Sequence, residues 1–357
     1  MASQGAVGIG RIFGISIELH WIFVLMMLVF FILSPYLGFL WVLLFVCVLI
    51  HELAHSVTAL NNGVKVSRIL LLPFGGVSMI ENVRLDPRVE FNVSLVGPLM
   101  SLLLGGVFGL MAIAFPPGII QSIAQWLFVI NIFLGIFNIV PAFPMDGGRI
   151  FRSYLQRTRS LYDATMITAK VSKAVLYLFI AGNIAFLAIG FGYPLFYREW
   201  VVLFDVIIVF FIYGGLKAEE DNVIIRKETQ GLTVGNAISR HYRLVDPMSR
   251  VADLYTLVKS SGEHLLITKK GDTYAVVDLR NAKSISTDRM ISDIATPIPK
   301  IHAKASVADA MGLLGSSDIG VVAVEKNGRL LGIVTFSQLQ TLVALHRMGK
   351  RIEAKRQ

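Results

Sequence analysis

Two histidines and a glutamate stand near the end of an apolar run, in the order His51-Glu52-Leu53-Ala54-His55. On a helix, positions i and i+4 lie one turn apart on the same face, so both imidazoles can bind one metal ion. Glu52 lies between them and can reach a water molecule beside that metal. Zinc suits the pair, because it polarises a carbonyl and makes water acidic enough for a carboxylate base to activate it. A chance match at a helix end is the alternative, but ionisable residues inside apolar runs are costly and usually functional.

A third metal ligand has to come from another part of the chain, because a catalytic zinc keeps three protein ligands and one open position. Asp146 is the candidate, and it stands between two prolines and the pair Gly147-Gly148. Prolines end the preceding helix, and the glycines allow the backbone to approach closely and turn. The alternative is that Asp146 only caps the helix that follows it.

The composition indicates two kinds of domain. Hydrophobic residues make up 55% of the 357 residues and the mean hydropathy is +0.67. The first 216 residues carry 21 charged side chains and the last 141 carry 36, which predicts a membrane part followed by a soluble part. A lone cysteine, Cys47, excludes an internal disulfide framework, and we interpret it as a small buried thiol.

The first part contains about six apolar stretches, and basic residues between them alternate in a way that predicts topology. Ten lysines and arginines follow the second and fourth stretches, whereas Arg198 alone occupies the other gaps. This pattern predicts a multi-pass protein of the cell membrane with both termini and the loops 61–90 and 149–170 in the cytoplasm. It also explains the net charge of +9 without a nucleic acid partner. The stretches are 19–33, 38–60, 91–115, 119–138, 171–191 and 200–216.

Residues 64–82 do not fit a spanning helix, because the segment is short and is interrupted by Pro73, Gly75 and Gly76. Apolar and β-branched residues on both sides of a Gly-Gly turn predict a β-hairpin associated with the membrane. Such backbone is tolerated at membrane depth only against protein or a wet cavity.

An internal repeat begins after the apolar part. Val251-Ala252-Asp253-Leu254 recurs as Val307-Ala308-Asp309-Ala310, and each copy precedes a helix-like segment and two short strands. This order resembles a tandem pair of cystathionine-β-synthase (CBS) domains of α/β fold, with a degenerate first copy. The predicted organisation is a transmembrane metalloprotease domain at 1–216, a linker at 217–228, a CBS pair at 229–345 (copies 229–288 and 289–345) and a basic tail at 346–357.

Five motifs in order make the first part similar to the site-2 protease family of intramembrane zinc metalloproteases. They are Gly10-Arg11-Ile12-Phe13-Gly14-Ile15 with Leu19-His20-Trp21, then His-Glu-Leu-Ala-His, Pro73-Phe74-Gly75-Gly76, Gly97-Pro98-Leu99, and Asn138 to Arg149 with its Asp-Gly-Gly.

The resemblance implies a role for each matching residue. His51, His55 and Asp146 would bind one zinc ion per chain, Glu52 would be the catalytic base, and Asn138 would orient the substrate or its oxyanion. Pro73, Phe74, Gly75 and Gly76 would form the hairpin that receives the substrate strand. The substrate would be a transmembrane segment of another protein in the lipid bilayer. Family members often carry Asn shortly after the Gly-Pro, where this chain has Ser101, so Ser101 is assigned no role.

The CBS pair is expected to modulate the protease. CBS repeats usually pack two by two, which is compatible with a homodimer through this region. The aspartate that usually holds the ribose of an adenine nucleotide is replaced by Gln338 in the second copy and by Asn281 in the first, with Asp278 in place of the usual Thr. Tight adenine-nucleotide binding is therefore not expected.

Two other functions compete with proteolysis. A zinc transporter would use the same ligands, but transit needs no general base and should have a second site across the membrane. A regulatory membrane scaffold with a silent metal site is the other alternative, and the intact glutamate and three ligands argue against it.

Overall fold

The computed structural model describes residues 5–72, 75–80, 85–189, 195–253, 265–271, 273–278, 288–315, 317 and 319–356. Contacts divide the chain into Met1–Val223, called unit 1, and Ile224–Gln357, called unit 2. Pro73 and Phe74 of the expected substrate hairpin lie outside the described residues, as does Asn281.

Helices dominate the described part of unit 1, because an apolar environment forces backbone polar groups to pair within their own segment. Four of the helices are long and apolar enough to cross a membrane, namely α2, α3, α4 and α6. The helices are α1 (Trp21–Leu33), α2 (Pro35–Asn61), α3 (Pro87–Ala114), α4 (Ile119–Ile139), α5 (Asp146–Leu155), α6 (Leu161–Ile189) and α7 (Leu195–Glu228).

The outward face of α3 shows why these helices need lipid. Leu103, Leu110 and Ile113 are 63%, 71% and 84% exposed, which water would not tolerate as one continuous apolar surface. The chain is a membrane protein, as its composition predicts.

The segment 149–170, predicted as a loop, is largely helical: it holds most of α5 and the start of α6. A helical connection is compatible with the predicted topology, because that prediction concerned the side of the membrane and not the secondary structure. Within this connection, Arg152 is buried against acidic side chains. The predicted linker 217–228 likewise lies within α7.

A four-stranded sheet packs beside the helices of unit 1, in the order β1-β2-β3-β4. The strands are β1 (Ala6–Ile12), β2 (Ile15–His20), β3 (Val66–Leu72) and β4 (Gly75–Ile80). The β3–β4 hairpin is antiparallel, as predicted, and β2 pairs with β3 in parallel, so the first strands extend the hairpin into a sheet that the sequence did not indicate. The Gly-Gly pair lies in β4 rather than in the turn, which corrects the expected position of the turn.

A buried cluster joins this sheet to the helices. Ile15, Ile17 and Ile69 of the sheet pack with Val48 of α2 and Val93 of α3. The apolar core therefore lies between the sheet and the helices that carry the candidate ligands.

The described residues of unit 2 form two small sheets with orders β5-β6-β7-β8 and β11-β10-β9. The predicted strand pairs of both repeats are confirmed as antiparallel β6–β7 and β10–β11, whereas the helix expected in the first copy lies outside the described residues. The strands are β5 (Arg243–Leu244), β6 (Leu265–Lys270), β7 (Thr273–Asp278), β8 (Thr296–Ile298), β9 (Lys300–His302), β10 (Val321–Lys326) and β11 (Arg329–Thr335), and the helices are α8 (Ile291–Ile294), α9 (Val307–Gly315) and α10 (Phe336–Arg356).

Candidate metal centre

The C-terminal half of α2 presents two buried imidazoles side by side. His51 and His55 are 4% and 7% exposed, and their Nε2 atoms lie 3.1 Å apart. The i, i+4 spacing on one helix face produces this juxtaposition, as the sequence predicts.

Asp146 completes the group from a distant part of the chain. Its Oδ2 lies 3.1 Å from His51 Nε2 and 3.0 Å from His55 Nε2. Met145, not Asp146, is the N-cap of α5, and Asp146 is the first helical residue. The capping alternative is therefore wrong, because the side chain faces the imidazoles.

Helix α3 holds both rings by their other nitrogens. His55 Nδ1 lies 2.6 Å from the Val93 carbonyl oxygen, and His51 Nδ1 lies 2.9 Å from Ser101 Oγ. A carbonyl only accepts hydrogen bonds, so Nδ1 of His55 carries the proton and its Nε2 has a free lone pair when the ring is neutral. Such outer partners orient metal-binding histidines.

Gly97 allows α3 to approach this closely. A Cβ at Gly97 would overlap His55 Nε2 and would lie 2.9 Å from His51 Nε2. The glycine of the Gly-Pro motif is thus required by the space beside the imidazoles.

The three ligand atoms fit a zinc ion. Among the described residues, His51, His55 and Asp146 form a group of potential ligands with all donor atoms within 4.8 Å of one another. Tetrahedral zinc with bonds of 2.0–2.1 Å separates its ligand atoms by about 3.3 Å, close to the 3.0–3.1 Å separations here. Without a metal ion, a proton between Asp146 Oδ2 and an imidazole Nε2 holds these atoms together, and a zinc ion would take the place of that proton.

The charge of Asp146 supports the same conclusion. Burial opposes its ionisation, but the hydrogen bonds with His51 and His55 hold the pKa of Asp146 well below its usual range. The third ligand is therefore a carboxylate near neutral pH.

Glu52 lies against the edge strand of the sheet. A Cβ at Gly76 of β4 would be 2.5 Å from Glu52 Cγ, so a larger residue there would displace the Glu52 side chain. The glutamate is partly exposed next to two buried histidines, which is compatible with contact to a substrate or to water.

Two other residues take positions that the sequence did not settle. The Asn138 amide donates to Leu134 O at 3.0 Å within its own helix, so its role in orienting substrate stays a prediction. Cys47 is buried, as expected, and accepts a hydrogen bond from Asn131 Nδ2 at 3.1 Å.

Ser101 contacts the site, although the sequence analysis assigned it no role. It is 1% exposed and bonds to His51. Its position shortly after Gly97-Pro98 was visible in the sequence, but only the structure shows that its side chain faces the imidazoles.

Comparison with known proteins agrees with this site. The family model "Peptidase family M50" matches residues 39–118 and 114–182, and the CBS domain model matches residues 291–344. Putative zinc metalloprotease Rip3 of Mycobacterium tuberculosis is 28% identical over 97% of this chain and 95% of its own length. Zinc metalloprotease MJ0392 of Methanocaldococcus jannaschii is 34% identical over 61% of each chain.

A solved structure, the site-2 protease from Methanocaldococcus jannaschii, is 32% identical and covers 60% of this chain and 95% of that chain, with a TM-score of 0.45. The family matches cover the helices that carry His51, His55 and Asp146, and the CBS match covers the better-preserved repeat. The chain therefore belongs to peptidase family M50, the site-2 protease family of zinc metalloproteases, and carries a CBS domain in its C-terminal part.

Proposed function

We propose that this protein is an intramembrane zinc endopeptidase that cuts transmembrane segments of other membrane proteins. The observation that carries the proposal is the convergence of His51, His55 and Asp146 within about one zinc coordination sphere, with Glu52 beside them. One zinc ion per chain would be held by these three side chains.

Each residue of the site would have a defined part in peptide hydrolysis. When bound, zinc supplies a Lewis acid that polarises the peptide carbonyl and increases the acidity of water. Glu52 takes a proton from the attacking water and gives it to the leaving nitrogen. The Val93 carbonyl and Ser101 hold the Nδ1 atoms of His55 and His51, so that both Nε2 atoms stay directed at the centre.

The substrate has to leave its helical conformation, because a peptide bond within a helix is closed to attack. Strand β4 offers a place to hold the unwound segment. It has one neighbour in the described sheet, and its Gly76 lies against the Glu52 side chain. An extended substrate segment pairing with this edge would lie close to the base. The expected roles of Pro73, Phe74, Gly75 and Gly76 are part of this proposal.

The topology and the regulation belong to the same proposal. Both termini, the metal site and unit 2 would be cytoplasmic, because the basic residues favour that side. The CBS pair would modulate the protease and mediate a homodimer, with domain boundaries at 1–216, 229–288 and 289–345. Gln338 is already engaged, since its Oε1 accepts a hydrogen bond from the Thr335 backbone at 2.9 Å, so adenine-nucleotide binding would be weak.

Cleavage that depends on Glu52 tests the function. The full chain is co-expressed with a panel of single-span membrane proteins from the same organism, as wild type, as Glu52→Gln and as the control Asp163→Asn, which changes an exposed acid on α6. The expected result is a fragment formed by wild type and the control but not by Glu52→Gln, with zinc content retained in all three. If no fragment depends on Glu52, the protease assignment is wrong; zinc transport into vesicles that survives Glu52→Gln would favour the transporter.

A further inference from the structure

A buried carboxylate anchors the short helix that carries Asp146. Glu90, in the first turn of α3, is 8% exposed and accepts hydrogen bonds from three groups near the end of α5. They are Arg152 Nη2, Ser153 Oγ at 3.0 Å and Gln156 Nε2 at 3.2 Å. The C-terminal turn of α5 is thereby attached to α3.

Arg152 connects further elements to the same point. Its Nη1 donates to Glu219 Oε2 of α7 at 2.7 Å. Its guanidinium carbon lies 5.1 Å from the centre of the Phe143 ring, in the segment that leads into Asp146. One planar guanidinium thus contacts two carboxylates and an aromatic face, which a lysine ammonium cannot do in a fixed geometry.

These contacts share a helix face with those that hold the histidines. Glu90, the Val93 carbonyl, Gly97 and Ser101 follow one another at intervals of three or four residues along α3, which places them on one side of the helix. That side orients both imidazoles and also fixes α5. Arg152 follows Asp146 by six residues, or about 9 Å of helix, so its anchoring limits the tilt and rotation that would move Asp146.

Stability alone is a weak reason for such a cluster. The free energy needed to desolvate two charges offsets much of the attraction between them. Replacing a buried ion pair with apolar residues is therefore often neutral or stabilising. Arg152 and Glu90 are 12% and 11% exposed at their side chains, so they pay this cost. A defined position for α5 is a benefit that an apolar contact would not provide as specifically.

We propose that Arg152 is a positioning residue that, through its two carboxylate partners, sets the place of Asp146 in the metal site. This rests on the proposed function only in taking Asp146 as a metal ligand. Its consequence is that zinc affinity depends on a side chain that does not touch the metal.

Zinc affinity of the purified full chain, measured by chelator competition, tests the proposal together with thermal unfolding of the metal-free protein. Arg152→Gln should weaken zinc binding about tenfold, the lower end of the range for residues that hydrogen-bond a metal ligand directly, because Arg152 acts on Asp146 only through the position of α5. Lys173→Gln is the matched control, because it removes one charge from an ion pair with neighbouring Glu220 that does not involve α5. It should leave zinc affinity within about threefold of wild type.

Arg152→Lys separates positioning from charge. It keeps the positive charge but loses the fork that joins both carboxylates, so zinc binding should stay about tenfold weaker than in wild type. Full recovery in Arg152→Lys, or a folded Arg152→Gln with wild-type affinity, would overturn the proposal. If Arg152→Gln does not fold, Glu219→Gln replaces it, with an expected loss of about three- to tenfold, and an unchanged affinity there overturns it equally.

A further variant separates this proposal from the metal site itself. His55→Ala should abolish zinc binding. If it does not, the ligand assignment fails and the positioning role falls with it. If it does, while the Arg152 variants bind zinc normally, only the positioning role is wrong.

Discussion

Replacing Gly97 with alanine should disable the metal site without unfolding the protein. The added methyl group would overlap His55 Nε2 and would lie 2.9 Å from His51 Nε2. At the same time, alanine is about 1 kcal/mol more favourable than glycine in a helix interior. In this variant, steric overlap weakens the metal site while the higher helix propensity of alanine stabilises α3.

The size of the effect follows from how the rings are held. The methyl is accommodated only if an imidazole rotates, and rotation breaks its Nδ1 bond to the Val93 carbonyl or to Ser101. Each bond contributes about 1–1.5 kcal/mol. Losing both corresponds to about 2–3 kcal/mol, or roughly 30- to 150-fold in zinc affinity.

The assay is chelator competition for zinc beside thermal unfolding of the metal-free chain in detergent. Gly106→Ala is the matched control, since it lies in the same helix and a Cβ there meets no heavy atom within 4 Å. We expect Gly106→Ala to bind zinc normally. We expect Gly97→Ala to stay folded but to bind zinc weakly, with a metal-free stability lowered by about 1–2 kcal/mol, the lost hydrogen bonds less the gain in helix propensity. Wild-type zinc affinity in Gly97→Ala would refute the placement of α3 against the imidazoles.

Three further outcomes are expected. Ser101→Ala should weaken zinc binding about tenfold in the same competition assay, because His51 loses its orienting partner. Burial raises the pKa of Glu219, but Arg152 and Arg149 lower it more, so its folded-state pKa is depressed; the stability it contributes is present above its unfolded pKa and is lost as pH falls through the folded value. Thermal unfolding at pH 6 and pH 3 should thus show a smaller acid-induced loss in Glu219→Gln than in wild type. Calorimetry of the full chain should detect no low-micromolar binding of AMP or ATP, since Gln338 lacks the charge to hold a ribose.

Short-range features of this protein follow from the sequence alone. His51 and His55 share a face because the helical period is a local property, and a bilayer selects long apolar stretches for helices wherever they occur. The paired strands of the CBS repeats are likewise readable from short apolar runs and their turns. Asp146 could be predicted as a candidate metal ligand, because the prolines and glycines beside it indicate an irregular backbone.

Tertiary structure decided what lies opposite each of these groups. Asp146 meets His51 across 95 positions in sequence, and that contact depends on how α5 is seated against α3. The composition of the Gly-Gly pair indicates a turn, yet Gly76 lies in a strand because it pairs with Leu71 of β3, and the nearby Glu52 side chain accounts for glycine at this position.

The same reason explains the residues that were overlooked or misread. Ser101 and Arg152 have no local pattern that distinguishes a buried hydrogen bond or ion pair from a solvated side chain. Their importance comes from one nitrogen of His51 in the first case and from two carboxylates on other helices in the second. Spacing along a chain determines which side chains share a face, whereas the packing of distant segments determines what that face contacts.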